Sequence, residues 1–337
     1  MLNGLMIVNP NINGLVNIGD YVQALAARQY FDNIGVYLDR DKDFALYHGE
    51  DVKIIMNGWY MDNPENFPPS DRIHPLLISI HINSYGLPGM LRSECVEFFK
   101  KYQPIGCRDK HTVKLLEEKG IEAYFSGCLT LTLGRKYKYD GKREGIYIVE
   151  PIFSTHNFSK RPLLILKSIV SLLCNYKSVK LIAKKKGDLS LRSLLHNAIY
   201  YKEYAKVFDK QILLDAEYIT QYNSEYAEMN IEERFSFAEN LVKKYAKAQL
   251  VITSRIHCAL PCLGLETPVI YTLKDNDIEM STERFEGLTD LFNTVTWHHD
   301  SLVRYRKKIT LRSIPKNKDS WKNLAKDLIA KCEKFAK

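Results

Sequence analysis

The 337-residue sequence lacks several patterns that would assign a protein to a class at once. It contains no unbroken run of about 18 apolar residues, so we expect no membrane-spanning helix. Its beginning has neither a basic segment nor a long apolar segment, so we expect no signal peptide. It also lacks the GxGxxG spacing of dinucleotide-binding loops and the GK[ST] ending of phosphate-binding P-loops. These absences argue against a membrane-spanning protein, a secreted protein and the commonest nucleotide-binding motifs.

Cysteine and charge exclude further classes. The seven cysteines are scattered, apart from Cys258 and Cys262, and none forms a metal-like CxxC pair. We therefore expect free thiols in a reducing cytoplasm and no metal site. The formal net charge of +8 fits a solvated lysine-rich surface, an anionic small substrate, a nucleic acid or a membrane face. Lysines and aromatics do not alternate as a nucleic-acid groove requires, so no nucleic-acid partner is expected, and the oligomeric state stays open.

Strand-like and helical segments alternate along nearly the whole chain. Residues 5–8 and 76–82 are typical of strands in the first part, and the charged, glycine-bounded segment 134–145 interrupts the pattern as a linker would. After this segment the alternation restarts, with a further strand predicted at 179–183 and an amphipathic helix at 232–248. The pattern predicts an α/β fold with mostly parallel sheets in two domains, facing each other across a cleft.

We divide the chain into an N-terminal Rossmann-like domain at residues 1–135 and a C-terminal Rossmann-like domain at residues 142–315. The remaining residues, 316–337, form a basic amphipathic helix that we expect to pack across the domain junction; a helix lying on a membrane surface is the alternative. Open parallel sheets bind ligands beyond the carboxyl ends of their strands. The loops at those ends are therefore the candidates for a functional site.

The strongest candidate is the stretch 250–271, LVITSRIHCALPCLGLETPVIY, which is typical of a buried strand, a polar turn, a helix and a second strand. Ser254 is a good N-cap residue, and its capping would place Arg255 and His257 in the first helical turn. There they would flank free N–H groups at the positive end of the helix dipole, which favours an anion. The alternative is a structural arginine and a histidine with satisfied hydrogen bonds.

Two other strand ends carry weaker motifs. After the first strand, Asn17, Gly19 and Asp20 form a glycine-containing turn into a helix, for which a structural turn is the favoured interpretation. Arg108 follows another strand, and Asp109 after it is a candidate helix cap. Arg108 either pairs locally or contacts a ligand in the cleft.

Two further strand ends carry a tryptophan and a histidine. Trp59 would stack on the face of a sugar or pack in the core. His81 is a candidate second acid or base, or a core residue. For both side chains the core is the favoured interpretation.

Taken in order, these motifs resemble the polysaccharide pyruvyl transferase family. Residues 17–20 resemble its N-terminal N-x-G-[DN] signature, and residues 108–112 resemble its central R-[DE]-x-x-[ST] block. Residues 254–257 resemble its S-R-[LMI]-H block, which closes with G-x-P-[VT]-[IV] by residue 270. The resemblance covers roughly residues 10–290.

The resemblance implies two Rossmann-like domains in a GT-B-like arrangement. It implies that phosphoenolpyruvate donates its three-carbon unit to two hydroxyls of a sugar, in a cell-surface polysaccharide or its lipid-linked precursor, giving a pyruvyl ketal and phosphate. No cofactor is implied. On this basis we expect Arg255 to bind phosphate or carboxylate, His257 to be the acid/base group and Arg108 to be a weaker candidate on the facing domain. The other expected substrate-binding residues are Asn17, Gly19, Asp20, His81 and Ser254.

Two other functions compete with this one. A glycosyltransferase of the same shape would use a nucleotide sugar and would need groups for the ribose, for which Glu266 and Asp275 are candidates. A non-catalytic carbohydrate-binding relative would keep the fold, although intact Arg255 and His257 argue against it. Residues 189–226 match none of the family's blocks, and we expect acceptor specificity to lie there.

The sequence also suggests a location. Free thiols and the missing signal peptide favour the cytoplasm. Lys184, Lys185 and Lys186 form a cationic segment that would hold the protein at the inner face of an anionic membrane, where lipid-linked sugars are assembled. A solvated loop is the alternative.

Overall fold

The computed structural model describes residues 1–11, 13–60, 62–83, 86–153, 158–274, 283–298, 301–302 and 307–337. Asp275, the candidate for ribose contact, lies outside these residues. The described strands are β1 (Leu2–Ile7), β2 (Val16–Asn17), β3 (Val36–Asp39), β4 (Val52–Tyr60), β5 (Ile73–Ile82), β6 (Ile105–Cys107), β7 (Ala123–Phe125), β8 (Ile146–Val149), β9 (Glu217–Ile219), β10 (Tyr222–Asn223), β11 (Leu250–Thr253), β12 (Val269–Lys274), β13 (Asn293–His298) and β14 (Ser301–Leu302).

The helices connect these strands and cover the sheets. The described α-helices are α1 (Ile18–Arg28), α2 (Leu87–Met90), α3 (Ser93–Lys101), α4 (Lys110–Glu117), α5 (Gly134–Tyr137), α6 (Pro162–Lys185), α7 (Leu191–Tyr204), α8 (Lys210–Asp215), α9 (Glu225–Glu228), α10 (Ile231–Lys247), α11 (Ile256–Gly264) and α12 (Trp321–Ala336). Short 3₁₀ helices lie at Pro64–Asn66, Leu129–Thr132, Phe158–Lys160, Glu283–Phe285 and Thr289–Leu291.

The first sheet has six parallel strands in the order β3-β1-β4-β5-β6-β7. Its central strand β4 is buried on both faces, as the full burial of Ile54, Ile55 and Met56 shows. Helices cover both faces of a parallel sheet, so successive residues of a central strand are all apolar and do not alternate with polar ones. This sheet places the ends of β1, β4 and β6 along one edge.

The second sheet has the order β14-β13-β12-β11-β8-β9. Its strands are parallel except for the short β14, which runs antiparallel to β13. At its centre, Val251 of β11 pairs with Val269 on one side and Tyr147 on the other. The prediction of an α/β fold with mostly parallel, Rossmann-like sheets is confirmed, and the domain boundaries stay a prediction.

The predicted strand at 179–183 is wrong. These residues continue α6 beyond a kink at Asn175, where φ is −127° and ψ is 25°. Val179, Ile182 and Ala183 are the buried positions of this half, with the i, i+3, i+4 spacing of one helix face. A short aliphatic run is compatible with either a strand or a buried helix face. Packing against α7 and α8 decides for the helix.

The last helix, α12, packs its apolar face into the protein. Trp321, Leu328 and Cys332 are buried, and the helix contacts both β5 of the first sheet and α11 of the second part. Lys53 Nζ in β4 also donates a hydrogen bond of 3.1 Å to Ala336 O. The interpretation of this helix as a membrane-surface helix therefore loses the apolar face that it needs.

The first part of the chain, before the segment 134–145, and the second part, after it, contribute to one hydrophobic core cluster. Helix α1 packs against α10, with the rings of Tyr21 and Phe235 5.1 Å apart and edge to face. A two-stranded antiparallel sheet also joins the parts, since Asn17 of β2 pairs with Tyr222 of β10. These contacts bring the ends of strands from both sheets to one cavity.

Candidate functional site

A cavity of about 1150 Å³ lies between strand ends of the two sheets. The charged residues that the first part of the chain contributes to its lining are Asp20, Arg40, Asp62 and Arg108. The charged residues that the second part contributes are Arg255, Lys274, Glu283, Arg284 and Glu286, beside His257. The cavity thus collects the N-terminal, central and C-terminal motifs in one place.

The strongest motif lies where β11 ends and α11 begins. The prediction that Ser254 caps the helix is wrong, because the N-cap residue is Arg255 and α11 begins at Ile256. Ser254 lines the cavity, and its hydroxyl donates a hydrogen bond of 2.5 Å to the backbone oxygen of Glu150, at the end of β8. The serine therefore ties two neighbouring strand ends together, and its oxygen is not directed at the helix N–H groups.

Arg255 is paired with a carboxylate of its own part of the chain. Its Nε lies 2.6 Å from Glu150 Oε2, and its Nη2 lies 3.1 Å from Glu150 Oε1. Such a two-point pair holds the planar guanidinium in one orientation. Sequence reasoning missed Glu150, which stands 105 positions before Arg255. Its position directly after β8 was the signal that could have found it.

His257 lies in the first turn of α11, at the cavity wall, and is 8% exposed. Its Nε2 is 3.5 Å from Arg108 Nη1. A guanidinium only donates, so Nε2 of a neutral imidazole is the acceptor in this contact. Burial, and after it the positive charges of Arg108, Arg284 and Arg255, hold the pKa of His257 well below its usual range. His257 is therefore neutral at pH 7 and is able to accept a proton.

The turn before α1 leaves room for His257. A Cβ on Gly19 would lie 3.1 Å from His257 Cβ and 3.0 Å from Asn17 Oδ1, closer than side chains normally pack. Asn17 is the N-cap of α1, and its Oδ1 accepts a hydrogen bond of 3.1 Å from Gly19 N. Asp20 follows at the cavity, where burial raises its pKa although Arg40 and Arg108 act to lower it. Gly19 therefore provides the space that His257 occupies. The sequence had favoured a purely structural role for this turn.

Arg108 is a buried cation that no described carboxylate neutralises. It is 3% exposed, its Nε is buried without a hydrogen-bond partner, and it forms no ion pair within the described residues. Asp109 does not neutralise it: one oxygen caps α4 by accepting from Thr112 N at 2.9 Å, and the other lies 2.7 Å from His81 Nδ1. A buried charge is costly unless it is paired. Arg108 therefore favours an anion in the cavity.

His81 belongs to a buried pair behind the cavity. It lies in β5, is buried, and is not among the residues that line the cavity. Burial lowers the pKa of His81 to about 4, although the hydrogen bond with Asp109 acts in the opposite direction. Burial raises the pKa of Asp109, but the His81 bond and the nearby positive charge outweigh it, so the pKa of Asp109 falls. Ionised Asp109 thus holds a neutral His81 next to Arg108.

Two further arginines at the cavity were missed by sequence reasoning. Arg40, after β3, lies 2.5 Å from Asp41 and 4.9 Å above the ring of Trp59, which also lines the cavity. Arg284 is exposed at the cavity and forms no ion pair with any described residue. Partial desolvation of its guanidinium, followed by the charge of Arg108, lowers its pKa. Arg40 was missed because β3 was not predicted, and no local pattern marks Arg284.

The chemistry of this cavity suits an anionic ligand. Arg108 and Arg284 supply charges without carboxylate partners among the described residues, and His257 supplies a neutral proton acceptor beside them. Where the chain is described, no group of three or more His, Cys, Asp or Glu side chains is arranged to hold a metal ion. The absence of a cofactor stays a prediction.

Comparison with known proteins agrees with the motifs. A family model described as polysaccharide pyruvyl transferase matches residues 17–273. A search of curated proteins and a search of solved structures each found no match. The chain therefore belongs to the polysaccharide pyruvyl transferase family, and the resemblance drawn from its three motifs is confirmed.

Proposed function

We propose that this protein transfers a pyruvyl group from phosphoenolpyruvate to two hydroxyls of a sugar, in a cell-surface polysaccharide or its lipid-linked precursor. One observation carries the proposal beyond family membership. The buried guanidinium of Arg108, which pairs with no described carboxylate, lies 3.5 Å from the neutral imidazole of His257. An anion site and a proton acceptor in contact are what a phosphorylated enol donor requires. The products are a pyruvyl ketal and inorganic phosphate.

The donor carries a carboxylate and a phosphate, and each needs a cationic partner. We assign these groups to Arg108 and Arg284, because a guanidinium binds carboxylate or phosphate through two parallel hydrogen bonds. Arg255 is held by Glu150 and has a smaller role in binding. The main anion-binding role therefore moves from Arg255, which sequence reasoning favoured, to Arg108 on the opposite side of the cavity.

The chemistry needs proton transfers at one carbon centre. The first sugar hydroxyl adds to C2 of the enol, and its proton is transferred to the C3 methylene, which becomes a methyl group. The second hydroxyl then displaces phosphate from C2 and releases its own proton. Neutral His257 accepts a hydroxyl proton, and the bound donor anion offsets the arginine charges, so the imidazolium that forms is stabilised and can return the proton. No nucleotide, redox cofactor or metal takes part.

The acceptor sugar binds on the side of Trp59 and Tyr222, which both line the cavity. Trp59 offers an aromatic face for a sugar ring. Tyr222 belongs to residues 189–226, where acceptor specificity was expected, and its hydroxyl accepts a hydrogen bond of 2.9 Å from Asn11 Nδ2. In this proposal the two parts of the chain act as a GT-B-like pair in the cytoplasm. The expectation from sequence, an acceptor side in residues 1–135 and a donor side in residues 142–315, is replaced by a donor and an acceptor that each contact both parts.

The test is phosphate release from phosphoenolpyruvate by the purified protein across a panel of lipid-linked and nitrophenyl sugars. We expect release that depends on a sugar and falls by about 10²- to 10⁴-fold in His257→Ala, the range for loss of an acid/base group. His48→Ala, at an exposed histidine away from the cavity, is the matched control and keeps full activity.

Two results would overturn the proposal. One is undiminished turnover in His257→Ala. The other is no phosphate release with any sugar, together with thermal stabilisation by a nucleotide sugar but not by phosphoenolpyruvate, which would identify a glycosyltransferase.

A further inference from the structure

Helix α6 exposes an apolar face over its first half. The apolar face of α6 consists of Leu163, Leu166, Ile169, Val170, Leu173 and Tyr176, all of them exposed. Leu163 and Leu173 are 74% and 75% exposed, as much as terminal or loop residues. The opposite face is anchored, since Ser168 and Ser171 are buried and Ser171 Oγ donates a hydrogen bond of 2.8 Å to Ala198 O in α7. The helix is therefore fixed on the fold with an apolar side outward.

The second half of the same helix exposes cations. Lys177, Lys180 and Lys184 are exposed there, and residues 151–187 contain eight Lys or Arg and no Asp or Glu. Two of the lysines that sequence reasoning assigned to a membrane face have ammonium groups that bind back to the protein. Lys185 Nζ donates to Ala216 O at 2.9 Å, and Lys186 Nζ lies 3.9 Å above the ring of Tyr200. The cationic surface is thus shifted along α6 toward its centre.

Charge decides what covers this surface. Monomeric proteins rarely expose a large contiguous apolar patch, and a large patch bordered by polar groups marks an interaction site. A second copy of the chain would bring the same acid-free cationic segment to the interface, where like charges repel. An anionic lipid surface offers the complementary charge and an apolar interior, which is the combination that interfacial amphipathic helices use.

We propose that α6 is a peripheral docking helix for the surface of an anionic lipid bilayer. Its apolar face enters the boundary between headgroups and acyl chains, and Lys177, Lys180 and Lys184 contact the anionic headgroups. Among the described residues α6 is also the helix with the length and composition to cross a membrane. It does not cross here, because Val179, Ile182 and Ala183 are buried in the hydrophobic core.

The position of α6 relates docking to the cavity. The helix follows β8, and between the two stand Glu150, the partner of Arg255, and Ile152, which lines the cavity. A docked α6 would therefore hold the cavity near the bilayer, where the sugar of a lipid-linked acceptor lies. That last step rests on the proposed function, whereas lipid binding by α6 does not.

The test is co-sedimentation of the full chain with sucrose-loaded vesicles of phosphatidylcholine, with and without about a third phosphatidylglycerol, at low and high salt. Wild type should bind the anionic vesicles and bind the neutral ones more weakly. Leu166→Asp/Leu173→Asp should lower the partition coefficient by about 10-fold or more, because it places charge on the inserted face. Leu46→Asp is the matched control, because Leu46 is 71% exposed and lies outside α6. This variant should bind vesicles as wild type does.

A second pair of variants tests the charges. Lys177→Glu/Lys180→Glu/Lys184→Glu should abolish the preference for anionic vesicles. Lys119→Glu/Lys326→Glu, at exposed lysines in the turn after α4 and on α12, should leave it unchanged. Light scattering with size-exclusion chromatography should give the same mass for wild type and Leu166→Asp/Leu173→Asp. A mass that halves in that variant would overturn the proposal in favour of a second copy.

Equal vesicle binding by the α6 and Leu46 variants, or no binding by wild type at low salt, would also overturn it. Sugar-dependent phosphate release with a soluble acceptor is measured in parallel and should not change in the α6 variants. The failure of docking and the failure of the proposed chemistry are thereby distinguished.

Discussion

Each side of the cavity carries two arginines, and only one arginine of each pair is bound to a described carboxylate. On the side built by the first sheet, Arg40 is paired with Asp41, whereas Arg108 has no carboxylate partner among the described residues. On the side built by the second sheet, Arg255 is paired with Glu150, whereas Arg284 has no described carboxylate partner. Each side thus supplies one arginine that is held in place and one that is available to a ligand.

The two histidines differ in the same way. His81 is bound to ionised Asp109 and lies behind the cavity, whereas His257 lines the cavity and contacts only a guanidinium among the charged groups described. Burial lowers the pKa of both, so both imidazoles are neutral. Burial alone therefore does not identify a functional group. What distinguishes Arg108, Arg284 and His257 is that no described carboxylate is paired with any of them.

The largest difference in activity is expected between a variant that loses an unpaired arginine and one that loses a paired arginine. Arg108→Ala should lower kcat/KM for phosphoenolpyruvate by about 10²-fold, because a buried charged hydrogen bond contributes ~1.5–3 kcal/mol and more than one is lost. Arg255→Gln/Glu150→Gln removes both charges of a pair and should lower it only a few-fold. Steady-state kinetics of phosphate release measures both, and equal losses would contradict the distinction.

A smaller effect is expected where the two sides touch. Gly19→Ala should lower kcat by about 10-fold, because the new Cβ meets His257 and misplacement of a reacting group by a fraction of an ångström is costly. The unfolding temperature should not fall together with kcat, because alanine has a higher helix propensity than glycine. The double variant with His257→Ala should be no slower than His257→Ala alone, and an additional loss would place the effect elsewhere.

The smallest expected effect is a change in the pKa of His257 that His81 does not share. Proton NMR of the two imidazoles should show His257 still neutral below pH 6.5 in the free protein, because burial and three arginine charges disfavour the imidazolium. Inorganic phosphate should raise the pKa of His257, since an anion offsets those charges. His81 should keep a pKa of about 4, because it faces Asp109 and not the cavity.

The sign of this shift has a kinetic consequence. A proton acceptor loses its function as pH falls through its pKa, so a low pKa keeps His257 competent in mildly acidic solution. Arg284→Gln removes one positive charge and should move the titration of His257 to higher pH. A shift to lower pH, or a response of His81 equal to that of His257, would contradict the comparison.

Sequence reasoning was reliable where the signal is local. The cap Asp109 was recognised because capping depends on residue type and on neighbours two or three positions away. The turn at Asn17 was recognised for the same reason, although its role as the cap of α1 was not singled out. The segment 232–248 was predicted as a helix from its 3.6-residue period, and α10 confirms it. At 179–183 the period is too short to separate strand from helix, and there the prediction was wrong. The prediction that Ser254 caps α11 was wrong because its hydroxyl bonds to Glu150, a residue that is distant in the sequence.

The sequence by itself determined the α/β fold class, the order of the three motifs and hence the family. These follow from residue type and spacing along the chain, which set strand and helix periods and the turns between them. Only the tertiary structure decided which cations of the cavity are neutralised and which apolar residues of α6 stay exposed. An ion pair depends on a few ångströms between residues such as Glu150 and Arg255, 105 positions apart. Burial of a helix face likewise depends on what packs beside it, and neither is a property of the local sequence.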